Sequence, residues 1–156
     1  MSAAIDRFVE AARAQGLEPE VRRFPQGTRT AEDAAAAIGC DVAQIVKSLV
    51  FVADDRAVLA LTSGRHRVDT DRLAELCGAT SVRRATPDEA REATGFAVGG
   101  TPPFGHPDRL RTFVDESLLA FDEVWAAAGT PDGLFPIAPA ELLRVSGGAA
   151  AAFAAS

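Results

Sequence analysis

The stretch IVKSLVFVADDRAVLALT, Ile45 to Thr62, decides the fold class. Apolar residues recur with a period of two through IVKSLVFV, break at the polar turn ADDR, and resume in AVLALT. That is the pattern of a β-hairpin, and its β-branched residues suit a pleated, half-buried surface. Alternation puts Lys47, Leu49 and Phe51 on one face and Val46, Ser48, Val50 and Val52 on the other. Lys47 therefore shares its face with bulky apolar groups. Of the sixteen cationic side chains it is the one lysine; all the others are arginine.

Outward from the hairpin the period changes to that of helices. Ser2 is a candidate N-cap for SAAIDRFVEAARAQG, with Ile5, Phe8, Val9 and Ala12 on one face and Gly16 as the stop. VRRF, Val21 to Phe24, reads as a short strand, and Thr30 caps AEDAAAAIG, which ends at Gly39. On the other side, VDTDRLAELCG predicts a helix and SVRRA a short strand. Thr86, Pro87 and Glu89 form a capping box with proline at the first helical position. LRTFVDE, FDEVWAAAG and LFPIA read as strands, and a last short helix begins near Pro139. SGGAAAAFAAS has no periodic contrast and reads as a poorly ordered tail, so the sequence predicts one domain over residues 1–148 and a tail over 149–156. Strands mixed with short helices give a single α/β domain of mixed, α+β-like type rather than a doubly wound sheet.

Composition narrows the function. With 156 residues, 47% hydrophobic and 24% charged, the chain reads as soluble and globular. Its apolar runs are too short to span a bilayer and no leader opens it, so a cytoplasmic protein with no membrane partner is expected. The net charge of −6 argues against gripping long duplexes, and DNA is not an expected partner. Cys40 and Cys77 stand far apart without a CxxC, so neither a zinc site nor a disulfide is indicated, and no metal is expected. GxSxG, HExxH and GxxxxGK[ST] are absent, as is tyrosine, and Ser63 near His66 has no evident orienting acid.

What remains for chemistry is Lys47 and the loop GGTPPFGHP, Gly99 to Pro107, with three glycines and three prolines in nine residues. Gly99, Gly100 and Thr101 are candidates to offer main-chain N–H groups to a developing oxyanion, while Pro102 and Pro103 hold the backbone in place. The bland alternatives are a structural turn and a strand lysine that keeps its ammonium in water. His106 is either a partner within the loop or a surface residue. The basic pairs Arg22 with Arg23, Arg65 with Arg67 and Arg83 with Arg84 read as solvated faces, with the alternative that Arg65 and Arg67 follow the hairpin closely enough to serve a phosphate.

Four blocks, TAEDAAAAIGCDVAQIVKSLVF, SGRHRVDTDRLAELCGA, TPDEAREATGFAVGGTPPFGH and FVDESLLAFDEVWAAAGT, occur in this order. Together they resemble the YbaK/EbsC family of aminoacyl-tRNA deacylases, which includes free-standing editing proteins and the editing domain of bacterial prolyl-tRNA synthetases. The likeness covers about residues 24 to 145. It implies a curved, largely antiparallel sheet with short helices around it, hydrolysis of a mischarged aminoacyl-tRNA ester, and no cofactor. It implies the tRNA acceptor end as partner, with a synthetase as a second candidate. The family's functional lysine falls on Lys47, and its GxxxP loop on Gly99 through Pro103. Phe24, Thr28 and Thr30 fall in the segment that lines the aminoacyl pocket of relatives, and Phe51 and His106 join the implied substrate-binding set. Cysteine-specialised members commonly carry Ser where Ala127 stands and Asp near Phe135, so the amino acid is open. A non-catalytic binding module of the same fold and a small-molecule acyl hydrolase are the other readings.

Overall fold

In a computed structural model, which describes residues 2–25 and 27–155, the chain runs α1 (Ala3–Ala14), β1 (Arg22–Arg23), α2 (Ala31–Ile38), β2 (Ile45–Ala53), β3 (Arg56–Ser63), α3 (Thr70–Cys77), β4 (Val82–Arg84), α4 (Pro87–Thr94), β5 (Arg111–Asp115), β6 (Val124–Ala127), β7 (Gly133–Ile137), α5 (Pro139–Ser146) and β8 (Ala149–Ala151). The mixed α/β class is the one expected, and the hairpin is the centre of the sheet. β2 and β3 pair antiparallel from Val46↔Ser63 to Ala53↔Arg56. The turn closes at Asp54, which takes a left-handed φ of 54° that an aspartate tolerates. The helix caps follow the sequence signals: the Ser2 and Thr30 side chains accept main-chain N–H groups, and Thr86 and Glu89 bond reciprocally.

The sheet order is β1-β7-β6-β2-β3-β5-β8, with β4 also on β2. Four pairings are antiparallel, and β2·β6, β3·β5 and β5·β8 are parallel. Both faces are covered, because alternate residues of the central strands are apolar on both sides. Val46, Val50, Leu59, Leu61, Val114 and Phe135 pack with Phe8 of α1, Ala90 of α4 and Leu142 of α5. On the other face Phe51, Ala60 and Phe113 pack with Leu73 of α3, while Ile45, Trp125 and Leu134 pack with Ala34 and Ala35 of α2.

The C-terminal residues correct the expectation of a disordered tail. β8 adds to β5 in the register Phe113↔Ala149 to Asp115↔Ala151. Phe153 is wholly buried, and its carbonyl oxygen accepts from the Asp69 N–H at 2.8 Å. An alanine run has no polar alternation to betray a strand, yet a sheet edge needs only main-chain groups to bind it. Ser156 lies outside the described residues.

One irregularity positions the site. Opposite β3, the edge of β2 is shared by two strands: β6 takes Ile45 and Val46, and β4 takes Phe51 to Ala53. The Gly64 N–H donates to the Ile45 carbonyl at 2.7 Å, so Ile45, Lys47 and Leu49 turn their main-chain groups toward β3. Val46, Ser48 and Val50 turn theirs to the shared edge, where the Val50 carbonyl accepts from Ala85 N–H at 3.0 Å. Between the two partners the main chain of Ser48 faces a gap.

Candidate functional site

A cavity of about 500 Å³ opens at this gap, a size that suits a small ligand. Thr28 and Thr30 enter it from the start of α2, Lys47 and Ser48 from β2, and Gly99 and Thr101 from the glycine-proline loop. Ala31, Ala34, Ile45 and Leu134 form an apolar wall, and Arg29, Arg84 and Glu32 bring charge to it.

Lys47 is half-buried, and its Nζ donates to the main-chain carbonyl of His66 at 2.5 Å. Burial pushes its pKa below the ordinary 10.5; Glu32 opposes the shift, while Arg84 and Arg67 add to it. One ammonium hydrogen is thus fixed by a neutral acceptor, and two more are left for other partners. The His66 ring is held in turn, with Nδ1 2.8 Å from Asp115 Oδ2. Burial works to raise the Asp115 carboxyl, but hydrogen bonds from His66, Ser117 and Ser63 outweigh it and hold the pKa below its usual value. This supplies the acid that the sequence left His66 without. It does not build a nucleophilic triad: the Ser63 hydroxyl donates to the Ala43 carbonyl at 2.9 Å, and the Ser117 hydroxyl meets the same Nδ1, at 3.4 Å, that Asp115 occupies.

The loop divides its donors. Gly100 N–H is spent on the Ala97 carbonyl at 3.0 Å. A Cβ on Gly100 would lie 2.7 Å from Thr130 Cα and 2.8 Å from Gly129 O, so this glycine is required by close backbone approach. Gly99, at φ 89°, and Thr101 line the cavity. Among the described residues their N–H groups have no protein acceptor. Pro102 and Pro103 are buried and do not line the cavity. His106 Nε2 lies 2.8 Å from the Pro102 carbonyl, and burial pushes the ring's pKa down, against the effect of that bond. Its geometry is that of a clasp across the loop.

The other residues singled out from sequence separate. Thr28 Oγ1 donates to the Pro131 carbonyl, and Thr30 Oγ1 accepts from Asp33 N–H at 3.0 Å, while both still line the cavity. Phe24 lies in a neighbouring groove with Pro25 and Arg29, and Phe51 is buried in the core under α3; neither lines the cavity. Arg65 is paired with Asp41 at 2.7 Å. Arg67 stands outside the lining but near enough to influence Lys47. Sequence reasoning read Arg84 as part of a solvated face, whereas it lines the cavity, and it missed Glu32 and the open main chain of Ser48, whose buried hydroxyl has no hydrogen-bond partner among the described residues. Alternation marks a residue's face, but nothing in the chain order marks a gap between two other strands.

Lys47 and the loop residues Gly99 and Thr101 line one small cavity, and residues 25–145 match the model of the aminoacyl-tRNA editing domain. The chain belongs to that family. This editing domain aligns over 100% of its length with 99% of a crystal structure of a candidate trans-editing enzyme for prolyl-tRNA synthetase, at 45% identity and a TM-score of 0.95. It is 32% identical to the uncharacterized protein YwhH of Bacillus subtilis, over 83% of this chain and 82% of that one. It is 37% identical to a stretch of the proline–tRNA ligase of Nitratidesulfovibrio vulgaris, over 59% of this chain and 16% of the ligase. Among the described residues of the editing domain, no helix is long and apolar enough to cross a membrane.

Proposed function

We propose that this editing domain hydrolyses the ester joining a wrong amino acid to the 3′ end of a tRNA. The observation that carries the reading is that Lys47, Gly99 and Thr101 line one cavity, and that among the described residues the N–H groups of Gly99 and Thr101 have no acceptor. An aminoacyl ester is already activated, so the chain need only orient it and stabilise the charge that develops on its carbonyl oxygen. The Gly99 and Thr101 donors serve that oxygen. Lys47 adds a positive charge whose direction is set by its bond to His66. Water adds to the carbonyl carbon, the tetrahedral intermediate expels the ribose oxygen, and a proton returns to that oxygen, leaving free amino acid and tRNA. The apolar wall of Ala31, Ala34, Ile45 and Leu134 receives the amino-acid side chain, and Arg29 and Arg84 at the lining receive phosphates of the acceptor end.

The test is a panel of mischarged tRNAs incubated with wild-type protein and with Lys47→Ala. The expected result is deacylation of at least one member well above the spontaneous rate, lost in the variant. No acceleration on any member, or an unaffected variant, overturns the reading. Saturable tRNA binding without turnover favours a non-catalytic binding module instead.

A further inference from the structure

The strongest unexplained feature is a part-buried side-chain network beside the cavity, built on Asp115 and His66. Asp115 ends β5 with only 2% of its surface exposed. Its carboxylate accepts from Ser63 N–H at 3.1 Å, from Ser117 N–H at 3.0 Å and from the Ser117 hydroxyl at 2.8 Å. It also meets His66 Nδ1 at 2.8 Å. The segment Ser63 to His66 is a tight turn, closed by His66 N–H on the Ser63 carbonyl at 2.9 Å. Gly64 lets this turn lie against its neighbours, since a Cβ there would stand 2.5 Å from Val42 O and 2.8 Å from Ala31 Cβ. The outcome of all these contacts is the placement of one acceptor, the His66 carbonyl on which Lys47 Nζ rests.

We infer that His66 is a positioning residue for Lys47, its ring clamped by Asp115 so that the main-chain carbonyl of the same residue fixes the ammonium at the cavity. No carboxylate pairs with Lys47 among the described residues. A flexible four-carbon stem ending in a single neutral acceptor is oriented only as well as that acceptor is held. A carbonyl suits the purpose: it directs the ammonium without neutralising the charge needed for an oxyanion. Asp115 does the clamping at one remove, which is why it sits where it can hold both ends of the turn.

This rests on the reading of Lys47 given under Proposed function, and the experiment separates the two. Deacylation kinetics are measured on one mischarged tRNA for wild type, Lys47→Ala, His66→Ala and His66→Asn, with thermal unfolding of each. Asparagine keeps an N–H donor near the position of Nδ1. For His66→Ala the expected result is a fall in kcat of about tenfold with KM changed less than about twofold, as for a misplaced catalytic group. His66→Asn restores most of the rate. Arg111→Ala is the stability control, because it removes bonds to the Leu76 and Cys77 carbonyls at 3.1 and 2.9 Å, away from the cavity; it is expected to lower the melting temperature with kcat unchanged. If Lys47→Ala is inactive while His66→Ala keeps its kcat, the positioning role is overturned and the reading of Lys47 stands. The role is also overturned if asparagine fails to rescue, or if Arg111→Ala loses kcat in the same proportion to its melting temperature. Full activity in Lys47→Ala overturns the functional reading itself.

Discussion

Gly100 donates its main-chain N–H to the Ala97 carbonyl at 3.0 Å, which separates the loop's spent donor from its two free neighbours. Its lack of a side chain lets the loop seat on Gly129 and Thr130. Gly100→Ala forces a clash with main-chain atoms that have no rotamer to move. The expected outcome is a loss of about 1–3 kcal/mol in urea unfolding and a deacylation rate lower by roughly tenfold or more. A variant as stable and as active as wild type would show that the loop is not seated this way.

Lys47 is expected to set the alkaline limit of activity. Burial disfavours the ammonium, so its pKa lies below the ordinary 10.5, and the charged form is lost on raising the pH sooner than for an exposed lysine. After subtraction of spontaneous hydrolysis, the rate should fall on an alkaline limb placed below that value. Lys47→Arg keeps its charge throughout the range and should lack the limb. A limb that survives in Lys47→Arg belongs to another group.

Much of this was legible in the chain. Alternation in Ile45 to Thr62 placed the hairpin and put Lys47 beside Leu49, and the Thr86 to Glu89 capping box marked α4. What alternation does not encode is the neighbour. Val46 pairs with Ala126 in parallel and Phe51 with Arg84 in antiparallel, and the cavity exists because those partners leave a gap. His66 and Asp115 stand 49 positions apart, so their contact is a consequence of β3 and β5 lying side by side. The alanines of β8 carry no pattern at all, and only the lone Phe153 hints that the segment is anchored.

Phe153→Ala tests that anchor. The ring is wholly buried with Leu73, Phe113 and Val58 in the core beneath α3. Truncation is expected to cost about 3–5 kcal/mol by urea unfolding, as for other buried phenylalanines. A cost within experimental error of zero would restore the picture of a dispensable tail.

Glu89 should make α4 sensitive to acid. Its carboxylate accepts from Arg83 at 2.8 Å and from Thr86 N–H at 2.9 Å, and these bonds, the Arg83 pair foremost, hold its pKa at about 2 against an ordinary 4.5. A folded-state pKa below the unfolded value means stability that is fully present above pH 4.5 and lost as the pH falls toward 2. Urea midpoints measured across this window should fall less steeply for Glu89→Gln than for wild type. Parallel curves would place the acid sensitivity elsewhere.

Arg84 and Arg65 should differ in their effect on RNA. Arg84 lines the cavity and has no acidic partner among the described residues, its guanidinium lying 5.8 Å from the Phe51 ring centroid. Arg65 already holds Asp41 at 2.7 Å, so a phosphate would have to displace a carboxylate. Each phosphate contact adds to the salt dependence of binding, because it releases a counterion from the nucleic acid. Arg84→Ala is therefore expected to raise KM for mischarged tRNA and to lower the slope of log affinity against log salt by roughly one, with kcat little changed. Arg65→Ala should leave both slope and KM near wild type. The reverse pattern would move the phosphate site from the β4 side of the cavity to the turn that follows β3.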